Sequence, residues 1–236
     1  MLKIEHFTKN YGEKVAVDDL SLHIAPGELW AFIGHNGAGK TTTLKAACGI
    51  LPFSQGTIRI GGKSIQEDPI GCKQQLAYIP DNPDLYEFLT GIQYLNFVAD
   101  FYGVSSDDRK ERIEKYGQLL GMTDDLTLHI SDCSHGMKQK IALIGGLIHK
   151  PRLILMDEPF VGLDPVASHQ LKNAMAEHCR EGGAIFFSTH VLEVAEKLCN
   201  KVAIISGGKL VASGTMDEVK GDASLEQVFL ELEGET

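Results

Sequence analysis

Long hydrophobic runs are missing from this chain, and so are paired cysteines, repeats and an excess of basic charge. No apolar run approaches the ~20 residues that a bilayer-spanning helix needs. The stretch from Met1 to Asn10 also lacks the apolar centre of a secretory signal, so the chain is expected to remain in the cytoplasm. The five cysteines, Cys48, Cys72, Cys133, Cys179 and Cys199, are scattered without metal-ligand spacing. That argues against a zinc site or disulfide framework and suits a reducing compartment. The formal charge of -10, from 22 Lys and Arg against 32 Asp and Glu, argues against a protein that grips nucleic-acid phosphates. Glycine and proline are spread as punctuation and not gathered into a linker, so residues 1–236 are expected to form one compact unit. With 43% hydrophobic residues, that unit can bury a full core.

What is present is organised around Gly34-His35-Asn36-Gly37-Ala38-Gly39-Lys40-Thr41-Thr42, directly after the apolar run Leu29-Trp30-Ala31-Phe32-Ile33. A buried strand delivers such a loop, and its glycines let backbone N–H groups close around phosphate oxygens. Lys40 can reach the β- and γ-phosphates, and Thr41 offers a hydroxyl to Mg²⁺. Thr42 to Cys48 reads as a helix that aims its positive dipole end at the anion before Gly49 ends it. Such a loop belongs to many ATP- and GTP-using proteins, so the rest of the chain must decide the chemistry.

Leu2 to Phe7 and Leu20 to Ile24 read as short strands separated by a turn-rich stretch holding Asn10, Tyr11 and Gly12, and Thr57 to Ile60 enters a hairpin at Gly61-Gly62. These early strands are expected to be antiparallel. Tyr11 is either a turn tyrosine packed on a strand or an aromatic face that stacks on a base. Leu76 to Ile79 is another strand, stopped by Pro80-Asp81-Asn82-Pro83-Asp84. Beyond it, Tyr94, Phe97, Val98 and Phe101 share one helical face, which is expected to be core. Leu85, Tyr86, Phe88 and Leu89 precede that helix in a loop-like stretch where apolar exposure would mark a partner site. A second helix, Asp107 to Leu120, is capped by Ser105 or Ser106 and turns Ile113, Tyr116 and Leu120 inward.

Ser134 is a natural N-cap for a long helix through Ile141, Ile144 and Ile148 to Pro151, and its N-terminus could bind an anion. Leu153-Ile154-Leu155-Met156 is a fully apolar strand ending in Asp157-Glu158-Pro159. Two carboxylates at the carboxyl end of a buried parallel strand lie where open α/β sheets bind ligands. Asp157 suits a Mg²⁺ held through water, and Glu158 suits the orientation and deprotonation of an attacking water. Asp164 is an N-cap with Pro165 at the first helical position, a sufficient structural role by itself. Ala184 to Ser188 forms a further strand ending at Thr189-His190; His190 is either a structural residue or a hydrogen-bond donor to a γ-phosphate. An amphipathic helix follows, then strands Val202 to Ile205 and Leu210 to Ala212 around Gly207-Gly208. Capping boxes begin at Thr215 and Ser224.

The order of these parts resembles the ATP-binding cassette family, the ATPase subunits of ABC transporters, over essentially the whole chain. Gly34 to Thr41 matches its Walker A motif, Leu153 to Asp157 its Walker B, and Glu158 its catalytic glutamate. Gly162-Leu163-Asp164 matches the D-loop, the dimer-communication segment; His190 is similar to the switch histidine and Tyr11 to the adenine-stacking aromatic. Two positions depart: Cys133-Ser134-His135-Gly136-Met137 stands for the Leu-Ser-Gly-Gly-Gln signature, and Asp81 stands where a Q-loop glutamine is usual, as a further metal-ligand candidate. The resemblance implies an α/β fold: a P-loop NTPase core with a mainly parallel sheet, an N-terminal antiparallel β subdomain and a helical insertion over about 82–150.

It also implies ATP and Mg²⁺ as cofactors, and catalysis by Glu158, His190 and Lys40. Two cassettes would meet head to tail, Ser134 and Gly136 of one completing the γ-phosphate site of the other. Transmembrane permease subunits would hold the pair peripherally at the inner face of the cell membrane, with no nucleic acid expected. The pattern is similar to cassettes of bacterial ABC-2 exporters, so substrate export is the expected direction. The alternatives are a cassette ATPase acting on ribosomes or DNA, which would resemble a tandem or coiled-coil chain, and a phosphate-loop kinase. Glu158 beside Asp157 favours water as acceptor over the kinase.

Overall fold

The computed structural model describes residues 1–234; positions 235 and 236 lie outside the described residues. Strands β1 (Leu2–Tyr11) and β2 (Lys14–Ile24) form a long antiparallel hairpin turned at Gly12, after which β3 (Leu29–Ile33) enters a second sheet. Helix α1 (Lys40–Ala47) follows the phosphate loop. Strands β4 (Gln55–Ile60) and β5 (Lys63–Ser64) complete the first sheet in the order β2-β1-β4-β5. A short helix α2 (Pro69–Lys73), capped by Asp68, leads into β6 (Leu76–Ile79). Between β6 and β7 (Leu153–Asp157) the chain is helical: α3 (Gly91–Phe101), α4 (Ser106–Leu119) and α5 (His135–Leu147). Then come α6 (Pro165–Arg180), β8 (Ala184–Thr189), α7 (Leu192–Leu198), β9 (Lys201–Ser206), β10 (Lys209–Thr215), α8 (Met216–Lys220) and α9 (Leu225–Gly234).

The second sheet runs β10-β9-β3-β8-β7-β6, parallel throughout except for the antiparallel edge strand β10. Every residue of β3, β7 and β8 is buried, which is why these strands read as unbroken apolar runs and not as alternating ones. Alternate side chains still go to opposite faces. Ala31, Ile33, Ile154, Met156, Ile185 and Phe187 join the core packed under α3 to α7, whereas Trp30, Phe32, Leu153, Leu155 and Phe186 join the core shared with α1 and the antiparallel sheet.

Three expectations need correcting. The first two strands are longer than their alternation suggests, because register shifts near Ile4, Phe7 and Lys9, with His6 and Asp19 at positive φ, interrupt the two-residue period. Helix α1 starts at Lys40 and not at Thr42; its N-cap, Gly39, makes no side-chain cap and so leaves no capping signal in the sequence. On α3, Phe97 and Phe101 are exposed, at 49% and 76%, and are not core. Leu95 and Ala99, on the opposite side of the helix, are buried instead, and α3 meets α5 where Gly145 lets Tyr94 and Leu95 approach its backbone. Leu85 is buried as well, while Tyr86 and Phe88 are exposed as expected.

Candidate functional site

Strands β3, β8 and β7 are adjacent in the sheet, so their carboxyl ends bring together the phosphate loop, Thr189-His190 and Asp157-Glu158. The loop is seated by glycines. A Cβ on Gly34 would collide with the Ile205 carbonyl, and one on Gly39, which sits at φ 114°, would lie 2.6 Å from the Ala16 carbonyl. Gly37, at φ 84°, has nothing within 4 Å of the place a Cβ would take. Around it opens a cavity of about 230 Å³ lined by His35, Asn36, Gly37, Gly39, Lys40, Thr41, Thr42, Asp81, Asp157 and Glu158. Ala38 is buried beneath the loop, where its carbonyl accepts from Gly208 N at 3.1 Å.

Lys40 is only 6% exposed, and its ammonium donates to the Gly34 carbonyl and, at 3.1 Å, to that of His35. Burial pulls its pKa below the ordinary lysine range, and the carboxylates of Glu158 and Asp157 oppose that pull. Asp157 is 2% exposed and makes no ion pair among the described residues. Its two oxygens accept from hydroxyls, Thr41 Oγ1 at 2.6 Å on Oδ2 and Ser188 Oγ on Oδ1. A buried carboxylate and a threonine hydroxyl in contact, both oxygen donors beside a phosphate cradle, fit a hard cation such as Mg²⁺.

Glu158 occupies the left-handed region at φ 48°, a conformation that costs a non-glycine residue about 1 kcal/mol or more. Its backbone N–H is held by the Ser188 carbonyl at 3.2 Å and hydroxyl at 3.0 Å, which turns the side chain toward β8. There Glu158 Oε2 lies 2.9 Å from His190 Nδ1. Ser188 therefore orients both acids, a role missed in the sequence. The available signal was a polar pair, Ser188-Thr189, closing an otherwise apolar strand.

The other expected residues lie elsewhere. His190 reaches the site through Glu158 and does not line the cavity, and Tyr11, Ser134, Gly136 and Asp164 do not line it either. Tyr11 is half-exposed at the hairpin end, with Lys9 Nζ 5.2 Å from its ring centroid. Ser134 caps α5, its Oγ accepting from Met137 N at 3.3 Å. The start of α5 packs on the segment after Glu158: a Cβ on Gly136 would strike the Gly162 carbonyl, and Lys140 Nζ pairs with Asp164 Oδ2 at 2.7 Å. The Lys140 hydrogen bond, helped by Ala167 N–H, holds the Asp164 carboxyl down at about 2. Asp164 also caps α6.

Known proteins resemble this chain in sequence and fold. Residues 17–161 match the family model described as ABC transporter. The chain is 34% identical to the ABC-type transporter ATP-binding protein EcsA of Bacillus subtilis over 98% of this chain and 96% of that one. It is 33% identical to the linearmycin resistance ATP-binding protein LnrL of the same organism, over 93% of this chain and 70% of that one. A solved ATP-binding subunit of an ABC transporter, 34% identical, superposes with a TM-score of 0.95 over 99% of both chains. With a matched family model over more than half its length and relatives aligned nearly end to end, the chain belongs to the ABC transporter family as an ATP-binding, ATP-hydrolysing subunit.

Proposed function

We propose that ATP is hydrolysed at the cavity over Gly37 and that the site is completed by a second protomer. The observation that carries this reading is the composition of the cavity wall: the phosphate loop, Asp81, Asp157 and Glu158 line it, whereas Ser134 and Gly136 of the same chain do not. The exposed helix N-terminus at Ser134 is then available to another chain's γ-phosphate, where its N–H groups and dipole favour an anion.

In this reading the loop amides and Lys40 hold the β- and γ-phosphates, and Tyr11 stacks on the adenine. Thr41 and Asp157, with Asp81 on the same wall, would hold Mg²⁺, which supplies charge neutralisation to the phosphates. Glu158, aimed by Ser188 and braced by His190, orients a water and takes its proton as the water oxygen bonds to the γ-phosphorus. The bond to the β,γ-bridging oxygen breaks, leaving ADP and phosphate. His190, through the hydrogen it can share, follows the γ-phosphate. Asp164 lies beside the helix start that would face the second protomer, which suits it to communication across the pair.

The membrane side of the reading rests on the helical region. Among the described residues no helix is long and apolar enough to cross a membrane. A groove of about 300 Å³ runs between β6 and the helices, lined by Tyr78, Leu85, Tyr94, Tyr102 and His149 among others. Beside it Tyr86, Phe88 and Phe97 form an exposed aromatic cluster, with ring centroids 5.9 Å and 5.6 Å from that of Tyr86. This surface suits a short helix of a permease subunit, with aromatic anchors dominating the contact. The subunit would thus work at the cytoplasmic face of the membrane, and the linearmycin resistance relative favours export.

The decisive experiment mixes two inactive variants, Ser134→Arg and Lys40→Ala. A mixed pair keeps one composite site with both an intact loop and an intact signature, so part of the ATPase activity returns on mixing. Full activity of Ser134→Arg alone would refute the shared site.

A further inference from the structure

The phosphate loop is touched by an element from the far end of the chain. Helix α9 opens with a capping box, Ser224 N–H donating to Gln227 Oε1 at 3.1 Å and Gln227 N–H to Ser224 Oγ at 3.2 Å. The N–H of Leu225, a fully buried residue, donates to Glu196 Oε2 at 3.2 Å. Glu196 belongs to α7, the helix that follows His190, and also pairs with Lys220 at 2.7 Å. One turn beyond Leu225, Phe229 is buried, and its ring centroid lies 5.1 Å from that of the His35 imidazole, the planes inclined at 59°. His35 lines the phosphate cavity, and its carbonyl accepts from Lys40 at 3.1 Å.

We propose that Phe229 is a positioning residue for the phosphate loop, fixing the His35 ring and through it the peptide whose carbonyl holds Lys40. The inference rests on the loop being the ATP site. At the tip of the loop His35, Asn36 and Gly37 are exposed, and Gly37 brings backbone freedom and no side chain to pack. The Phe229 ring is thus one hold on this exposed tip, beside the bonds that the His35 carbonyl accepts from Lys40 and the Ala38 N–H. A bound nucleotide draws the Lys40 ammonium away from the Gly34 and His35 carbonyls toward phosphate, so the hold on that peptide sets how readily the exchange occurs. Glu158 and His190 are held separately by the ends of β7 and β8, so the effect falls on ATP binding and not on the chemical step.

The test uses the purified full chain with a fluorescent ATP analogue titration, steady-state hydrolysis and a thermal melt. Phe229→Leu keeps an apolar side chain in place but removes the ring; His35→Ala removes its partner. Each should weaken ATP binding and raise KM by roughly two- to ten-fold, the range to which an aromatic pair's coupling converts. In Phe229→Leu, kcat should be nearly unchanged. The double variant should be no weaker than the worse single one, and Phe229→Tyr should bind nearly as the parent does. Parental affinity in a folded Phe229→Leu, or losses that multiply in the double variant, would overturn the proposal. Lys40→Ala serves as the control: if it binds ATP as the parent does, the loop is not the ATP site and both readings fail. If it loses ATP while Phe229→Leu does not, only the role of Phe229 falls.

Discussion

Acid should weaken this protein through one half-buried imidazole. His149 lies in the wall of the groove under the ring of Tyr102, with centroids 3.7 Å apart and planes 7° from parallel, and its Nε2 is 3.1 Å from the Leu76 carbonyl. Burial pushes its pKa from 6.5 down to about 4, and the nearby Arg112 guanidinium adds to the push while the Leu76 hydrogen bond opposes it. The folded value lies below the unfolded one, so the unfolded chain binds more protons between them. The stability contributed by the neutral ring is therefore present above about 6.5 and lost as pH falls toward 4. The full difference is worth about 3 kcal/mol, of which about 2 kcal/mol disappears between pH 7 and pH 5. Urea unfolding at those two pH values, on the parent and on His149→Phe, isolates it. The phenyl ring can stay stacked on Tyr102 but cannot titrate, and losses from other groups are common to both proteins. The parent should lose about 2 kcal/mol more than the variant; equal losses would refute the assignment.

Two further outcomes are expected. Glu158→Gln should keep ATP binding but lower turnover by about 100-fold or more, the usual size of a general-base contribution; near-normal hydrolysis by the purified variant would remove Glu158 from that role. Changing Tyr86 and Phe88 together to Ala should release the subunit from its membrane complex on co-purification while its cooperative melt persists, since these side chains are 50% and 74% exposed. Loss of the melt would make them structural instead.

What could be read from the sequence followed from how local each signal was. The phosphate loop, the apolar strand before Asp157 and the caps at Ser105, Ser134, Asp164 and Thr215 are each written in a few consecutive residues, and each recurs in the structure. Helix α3 was harder because it is apolar on more than one side. Its aromatic stripe reaches outward at Phe97 and Phe101, while small Ala99 and Leu95 make the close contacts inward. Periodicity locates an apolar face but does not say whether a core or an open surface meets it. The cross-links of the site were out of reach for another reason. Ser188 to Asp157, Glu158 to His190 and Phe229 to His35 join different strands and helices, and no local pattern records which carboxylate or ring will be met.

The meeting of Gly136 with Gly162 limits how the two segments can travel. Backbone lies against backbone there: a Cβ on Gly162 would come within 2.9 Å of the His135 ring, and one on Gly136 would strike the Gly162 carbonyl. Lys140 and Asp164 tie the same two segments one helical turn further on. With the Gly136 backbone packed on the Gly162 carbonyl and an ion pair to resist parting, neither would advance on the second protomer proposed above without carrying the other. In the proposed pair, a single displacement would then deliver the helix start and the loop together, and a change at either glycine would be felt as a fault in timing at both.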